Sequence, residues 1–303
     1  MAITRVSKFP NPIAVPPWVM APNGGQVFYL CSLGVQDGTQ DDIASSLYTT
    51  LGAALGACRA NRGDTIIALP GHVENVVTTP TFKAGVSIIG IGNGDERPTF
   101  TWTATASQWS IAVANVSIQN CIMNLAGTAA TATTKAIVIT GARSVFKDNR
   151  FILGASSTQQ ATIGIEYGTG GDRGHFEGNN LISTTDAAVV SCIKIVAALD
   201  RLNFTNNIMT VGMSATTNGL ITMTVAPTSL YIGFNSISNT ITNSTKALVA
   251  ITAATGVVEY NNLYLTNATG GATAFGTPGS LGANQNFGCA TNGSGLLTPA
   301  AGS

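Results

Sequence analysis

The sequence predicts an all-β chain: a single-stranded right-handed parallel β-helix with an N-terminal amphipathic capping helix. Three observations carry that expectation. Two independent residue markers recur with one period near 28 residues, the segments between them are short and β-branched, and one apolar stripe at helical spacing stands just ahead of the first repeat. A unit this short cannot bury its apolar face alone, so its copies must stack.

Taken in order, residues 1–38 form an N-terminal arm, Pro-rich in "FPNPIAVPPWVMAPNGG". Residues 39–63 follow as the helix, with Ile43, Leu47, Leu51, Leu55 and Cys58 at spacings of 4, 4, 4 and 3, one apolar face of an α-helix. Thr39 and Asp41 are the N-cap candidates, Asp42 suits the positive helix start, and Gly63 supplies the stop. Stacked rungs leave an open end, and a helix with one apolar face is expected to plug it.

The coil is expected over 64–265, about eight rungs and roughly 40 Å at a strand spacing near 4.8 Å. One marker is an Ile-x-Ile-like doublet at Ile111, Ile137, Ile163, Ile193, Ile221 and Val249, in steps of 26, 26, 30, 28 and 28. The other is Asn followed two residues later by an apolar residue, at Asn120, Asn149, Asn179, Asn206, Asn235 and Asn261. "VSIIGIG" at Val86 and "VSIQNCI" at Val116, 30 apart, extend the repeat backward. A sharp bend between strands asks for a left-handed backbone, which Asn tolerates better than other non-glycine residues. The six asparagines are therefore expected to form a hydrogen-bonded structural ladder along the stack. The same register sets Lys147 over Glu177 as a cross-rung ion pair. A β-propeller is disfavoured, because its blades need 40 or more residues. The remaining segment, 266–303, is an arm with no charged residue.

Composition narrows the partners. The chain holds 14 Lys and Arg against 14 Asp and Glu, 9% charged in all, where soluble domains average about a quarter. Nucleic acid needs clustered Lys and Arg, and anionic lipid needs a basic face, so neither nucleic acid nor membrane is an expected partner. "AAVVSCIKIVAAL" is broken by Lys194 and too short to span a bilayer. The first residues lack the apolar core of a secretory signal, so synthesis and folding in the cytoplasm are expected. Five cysteines, Cys31, Cys58, Cys121, Cys192 and Cys289, show no Cys-x-x-Cys pair and read as reduced and mostly buried.

Chemistry has few places to sit. A glycosidase wants two carboxylates about 5 to 10 Å apart. The best candidate group is "GTGGDRGHFEGNN", with Asp172, Arg173, His175 and Glu177. His175 and Glu177, two apart on a strand, would share a face. No catalytic residue is assigned, because Lys147 already offers Glu177 a structural partner and no other polar column joins the group. "QDGTQDD" lacks the Gly and Glu pattern of an EF-hand. Two histidines cannot make a three-ligand zinc site, and there is no nucleophile elbow or phosphate loop. No metal or cofactor is expected. Trp18, Trp102 and Trp109 read as core or interface residues. Arg62-Gly63-Asp64 reads as the helix stop and the first strand's start rather than an adhesion signal, with His72 on the turn made by Pro70 and Gly71.

"GVQDGTQDD", the helix and "RGDTIIALPGH" resemble the opening of pectate-lyase-like right-handed β-helix proteins of phages. "GQVFYLCS", "LGAALGACRANRGDTIIALPGHVENV", "VSIIGIGNGDERPTF" and "SGLLTP" are similar to phage virion β-helix proteins, over Gly25 to about Pro299 in outline. The resemblance implies a virion component: a head decoration or cement protein, a head fibre, or a tail spike that binds or cleaves host polysaccharide. It also implies a homo-oligomer, a trimer by family expectation, and partners among the virion proteins, the major capsid protein first. With so few acids the expectation is a non-enzymatic structural protein that docks through its uncharged arms and faces.

Overall fold

In the computed structural model the described residues are 24–34, 45–126, 133–155, 159–183, 189–212 and 220–239, with short strands up to 289. The expectations for Trp18, Thr39, Asp41, Asp42, Ile43 and most of both arms lie outside them. The rest form a parallel β-solenoid. Strand pairing is parallel throughout, and three sheets run the length of the coil. Sheet A has eleven strands, sheet B nine and sheet C seven. From Ser87 onward each turn of chain contributes one strand to each sheet, so sequence neighbours lie in different sheets and hydrogen-bonded neighbours lie one repeat apart.

The chain enters through β1 (Val27–Leu30) and β2 (Leu47–Tyr48), both in sheet A. Helix α1 spans Leu51–Ala57, shorter than the expected 39–63. Leu47 and Tyr48 pair with Tyr29 and Leu30 instead of entering the helix. Thr50 then holds a β conformation, and its Oγ1 accepts the Ala53 N–H at 3.3 Å, which starts the helix there. Cys58, extended, ends it, and Gly63 (φ +77°) belongs to the following turn. Leu51, Ala54 and Leu55 are buried in the same core as Phe28 and Leu30.

The first coil strands are β3 (Thr65–Ala68) in sheet A and β4 (Val73–Val76) in sheet B. The next repeat supplies β5 (Ser87–Gly90), β6 (Thr99–Trp102) and β7 (Trp109–Ile111), one to each sheet. Side chains alternate in and out along each strand, so the core is a set of columns. In sheet A, Ile66, Ile88, Ile118, Phe146, Phe176 and Phe204 follow one another in register, all fully or almost fully buried. The rings of Phe146, Phe176 and Phe204 stack at 6.2 Å steps. Trp102 and Trp109, 5.0 Å apart, fill the core near the N-terminal end, as the sequence suggested.

Registers in sheet C correct the doublet series. Trp109, Ile137, Ile165, Ile193 and Ile221 are the true column, 28 residues apart at every step. Ile111 pairs with Ile139, Ile163 with Ser191, and Val249 with Thr222. In an Ile-x-Ile strand both isoleucines face inward, so the slips of two at Ile111 and Ile163 leave the pattern looking intact; Val249 is off by one, Leu248 being the partner of Ile221.

The asparagine ladder is present, with one substitution of rung residue and one of role. It runs through Asn149, Asn179, Asn207, Asn235 and Asn261, each at most 1% exposed. In the first four, Nδ2 donates to the Oδ1 of the next rung's asparagine at 2.9 to 3.2 Å, and the backbone N–H donates to that same oxygen at 2.9 to 3.0 Å. The second Nδ2 proton goes back to a backbone carbonyl one repeat earlier, on Ile118, Phe146, Phe176, Phe204 or Ile232. Asn206 and Asn120 are not ladder members. They carry the left-handed bend itself, as do Asp148, Gly178 and Phe234, with φ between 53° and 66°. Two adjacent residues thus divide the work: the first turns the chain outward of the core, the second points in and bonds along the stack. At the top, Cys121 occupies the ladder position and its N–H donates to Asn149 Oδ1 at 3.0 Å. Asn120 instead donates to the carbonyls of Gly90 and Gly92, bracing the loop that interrupts the repeat above.

Asn207→Ala would strand the Asn179 N–H and one Asn179 Nδ2 proton in the core, a loss of about 3 kcal/mol at about 1 to 3 kcal/mol per unsatisfied group. Asn206→Gly, at φ 57°, should change stability by less than about 1 kcal/mol. Urea unfolding of the two variants separates the roles.

Candidate functional site

The candidate acidic group lies on sheet A and the corner leading into it. In the strand His175–Glu177, Phe176 points into the core while His175 and Glu177 face outward. Lys147 and Glu177 are register partners, and Lys147 Nζ lies 3.7 Å from Glu177 Oε2. The cross-rung pair is therefore where the sequence put it, and with both groups about 40% exposed it is worth at most about 1 kcal/mol. Asp172 sits at the corner before the strand, where its Oδ1 accepts the Asp200 N–H of the next rung at 2.8 Å. Two of the three residues share a face, and both acids have a structural partner.

A feature that sequence reasoning missed frames this face. Arg143, Arg173 and Arg201 all hold φ near 57° and occupy one corner on consecutive rungs, in the position that Gly85 and Asn115 take earlier. All three are exposed. The Arg143 N–H donates to the Asp172 carbonyl and the Arg173 N–H to the Asp200 carbonyl, both at 2.7 Å. Arg201 Nε donates to Asp200 Oδ2 at 2.6 Å. Left-handed corners are normally signalled by Gly or Asn, so arginines there gave no warning; the only trace was their constant place three residues ahead of Phe146, Phe176 and Phe204.

Beside that corner runs an open groove of about 380 Å³, lined by His175, Arg201, Asn203, Ser229, Tyr231 and Val257. The Tyr231 side chain lies against Gly233: a Cβ there would meet its Oη at 2.6 Å. Asn203 Oδ1 is buried without a hydrogen-bond partner among the described residues. The groove offers an aromatic face, an imidazole and a guanidinium, which suits binding; it contains no acid.

The Arg-Gly-Asp tripeptide is structural. Asp64 is fully buried. Its carboxylate accepts the backbone N–H groups of Gln26 (2.8 Å) and Arg59 (2.7 Å), together with Arg62 Nε (2.7 Å) and Nη2 (2.8 Å). It thereby ties the entry strand, the end of α1 and β3 into one knot. Burial alone would raise the Asp64 pKa, but the Arg62 hydrogen bonds and the two backbone N–H groups outweigh it and hold the carboxyl below its ordinary value. His72 does lie on the turn, but fully buried, against the Phe100 ring and 3.3 Å from Glu74 Oε2.

Cys58, Cys121 and Cys192 are free and buried, and Cys31 is free and half-buried. Burial pushes the Cys58 and Cys121 thiols up to about 12, which suppresses the reactive thiolate. Among the described residues, no three His, Cys, Asp or Glu side chains converge as metal ligands, and no helix is long and apolar enough to cross a membrane. No family model, curated protein or solved structure matches the chain.

Because the folded pKa of Asp64 is depressed, its contribution is complete above the ordinary carboxylate value near 4 and is lost as pH falls through the folded value. Asp64→Asn should lower stability at neutral pH by about 2 kcal/mol and flatten the acid limb of a plot of unfolding midpoint against pH. An unchanged acid limb would show that the knot does not depend on the charge.

Proposed function

We propose that the chain is a non-enzymatic structural protein of a phage particle, one that decorates or cements the head. It is made in the host cytoplasm, resides on the virion, and docks on the major capsid protein or another virion protein as a homotrimer. The observation that carries this reading is the pairing of a rigid stacked coil with a chain only 9% charged, in which both acids of the best catalytic candidate are in structural use. The phage segments quoted from the sequence support the setting. The coil is read as right-handed, as parallel strand connections almost always are. Helix α1 is read as the plug of its N-terminal end, because its buried face joins the core and its Leu51 N–H donates to the Glu74 carboxylate at 2.7 Å.

One observation favours a second reading, a tail spike or fibre that binds host polysaccharide: the groove lined by His175, Arg201, Asn203 and Tyr231. Sugars stack on aromatic faces and bond to such polar groups.

Mass spectrometry of gradient-purified particles should find the chain, and sedimentation of the purified protein should give a trimer that rebinds particles stripped of it. A stable monomer absent from particles overturns the proposal. Incubation with host capsular or envelope polysaccharide should release no reducing ends and leave the Tyr231 environment unperturbed; binding or cleavage selects the second reading.

A further inference from the structure

The three sheets do not end alike at the N-terminal end of the coil. Sheet A is extended past β3 by β1 and β2. Sheet C ends at β7, over which the irregular segment 77–85 folds: Thr79 Oγ1 donates to the Gln108 carbonyl, and Phe82 packs edge-on against Trp109 at 5.6 Å. Sheet B ends at β4, which has β6 on one side and, among the described residues, no strand on the other.

The unpaired side of β4 is chemically specific. The Thr99 N–H donates to the His72 carbonyl at 2.8 Å and the Thr103 N–H to the Val76 carbonyl at 3.4 Å. Because backbone groups alternate sides along a strand, those of Val73 and Asn75 point away from β6. Ser32 Oγ takes the Val73 N–H at 3.1 Å. No hydrogen bond from the described residues reaches the Val73 carbonyl or either backbone group of Asn75. Edges left in this state are templates for another strand, and proteins usually blunt them with Lys, Pro or a bulge; β4, "VENV", has none of these.

The surroundings match. A groove of about 390 Å³ runs along this edge, lined by Thr49, Thr50, Gly52, Val73, Asn75 and Val77 among others. Its one charged lining residue, Glu74, is engaged by the Leu51 N–H. Leu33, Val77 and Val73, at 70%, 59% and 57%, are the three most exposed large apolar side chains among the described residues. Val73 and Val77 line the groove, and Leu33 follows Ser32, which bonds to Val73.

We infer that the free edge of β4 is a strand-addition site, and that it takes an extended, uncharged, β-branched segment of the surface on which the protein docks. Main-chain hydrogen bonds to Val73 and Asn75 supply the affinity, and contact with Val73 and Val77 supplies the preference for apolar side chains. An uncharged occupant suits a groove with no free charge. The partner's identity as a particle protein rests on the function proposed above, but the strand chemistry does not.

The probe is a capped peptide, acetyl-Thr-Val-Thr-Val-Thr-amide, added to the full-length protein, with hydrogen exchange of the Asn75 amide as readout. Saturating peptide should slow that exchange at least tenfold. The same peptide N-methylated at both valines should have no effect. Asn75→Pro removes the outward N–H without touching a bond to β6, and Val77→Lys charges an exposed position; each should weaken peptide binding at least tenfold while the far-ultraviolet β spectrum stays intact. Unchanged Asn75 exchange, or equal binding of the N-methylated peptide, overturns the inference. So does concentration-dependent protection without peptide, which would mean that a second copy of the chain takes the edge. Failure of the protein to bind particles would leave the peptide result standing, so the two proposals fail separately.

Discussion

From Cys121 onward each turn of this coil makes a buried bend between sheets A and B, and a buried bend must find partners for backbone groups that no strand pairs. The ladder Asn149–Asn179–Asn207–Asn235–Asn261 does this with one side chain per rung. Each internal member spends both amide protons and accepts two hydrogen bonds on Oδ1, one from a backbone N–H and one from an amide. That is the full capacity of a carboxamide, so the internal ladder side chains leave none of their own polar atoms unpaired. The satisfaction is mutual: no rung's bend is complete without the next, which makes the stack rather than the single turn the unit of stability. The aromatic column Phe146–Phe176–Phe204 sits directly behind, and its carbonyls are the ones that take the second amide proton. Side-chain packing and backbone satisfaction thus share the same residues.

This explains what the sequence could and could not reveal. A constraint that repeats on each turn writes a period into the chain, so the fold, its 28-residue step and the Lys147–Glu177 pairing were all legible. Residue-level register was less so. "TNNI" offers two asparagines for one bend, and only the chain's direction at the corner decides that Asn206 turns while Asn207 bonds. The helix was overdrawn because Leu47 fits a helical stripe and an alternating strand equally well; pairing with Tyr29 in β1, beyond the reach of local spacing, decided for strand. The tripeptide Arg62-Gly63-Asp64 looked like punctuation, and it is more than that. The donors that fix Asp64 come from Gln26 and Arg59, and nothing in a local motif announces a long-range partner.

The candidate site teaches the same distinction between inside and outside. Inward positions are dictated by the columns, so they are readable from periodicity. Outward positions answer to no such rule, and the arginines at Arg143, Arg173 and Arg201 could be found only once the corner's backbone was known. A left-handed non-glycine residue carries a cost of about 1 kcal/mol or more. Three in succession, where the same column elsewhere uses Gly85 and Asn115, show that the surface is not simply the cheapest covering for the core.

A solenoid has two kinds of surface, and they bind differently. Its flanks present side chains, which here are mostly uncharged and scattered, giving little directional information. Its ends present strand edges, where the backbone itself demands an extended partner in a fixed direction and register. At the N-terminal end the chain spends β1, β2 and residues 77–85 on covering sheets A and C. Among the described residues β4, with valines at both of its margins, is left without a second neighbour, a local exception to a general effort, and exceptions to a rule the rest of the coil obeys are where function is most economically sought. For a protein with so few charges to steer or orient it, a strand edge supplies the specificity that electrostatics does not.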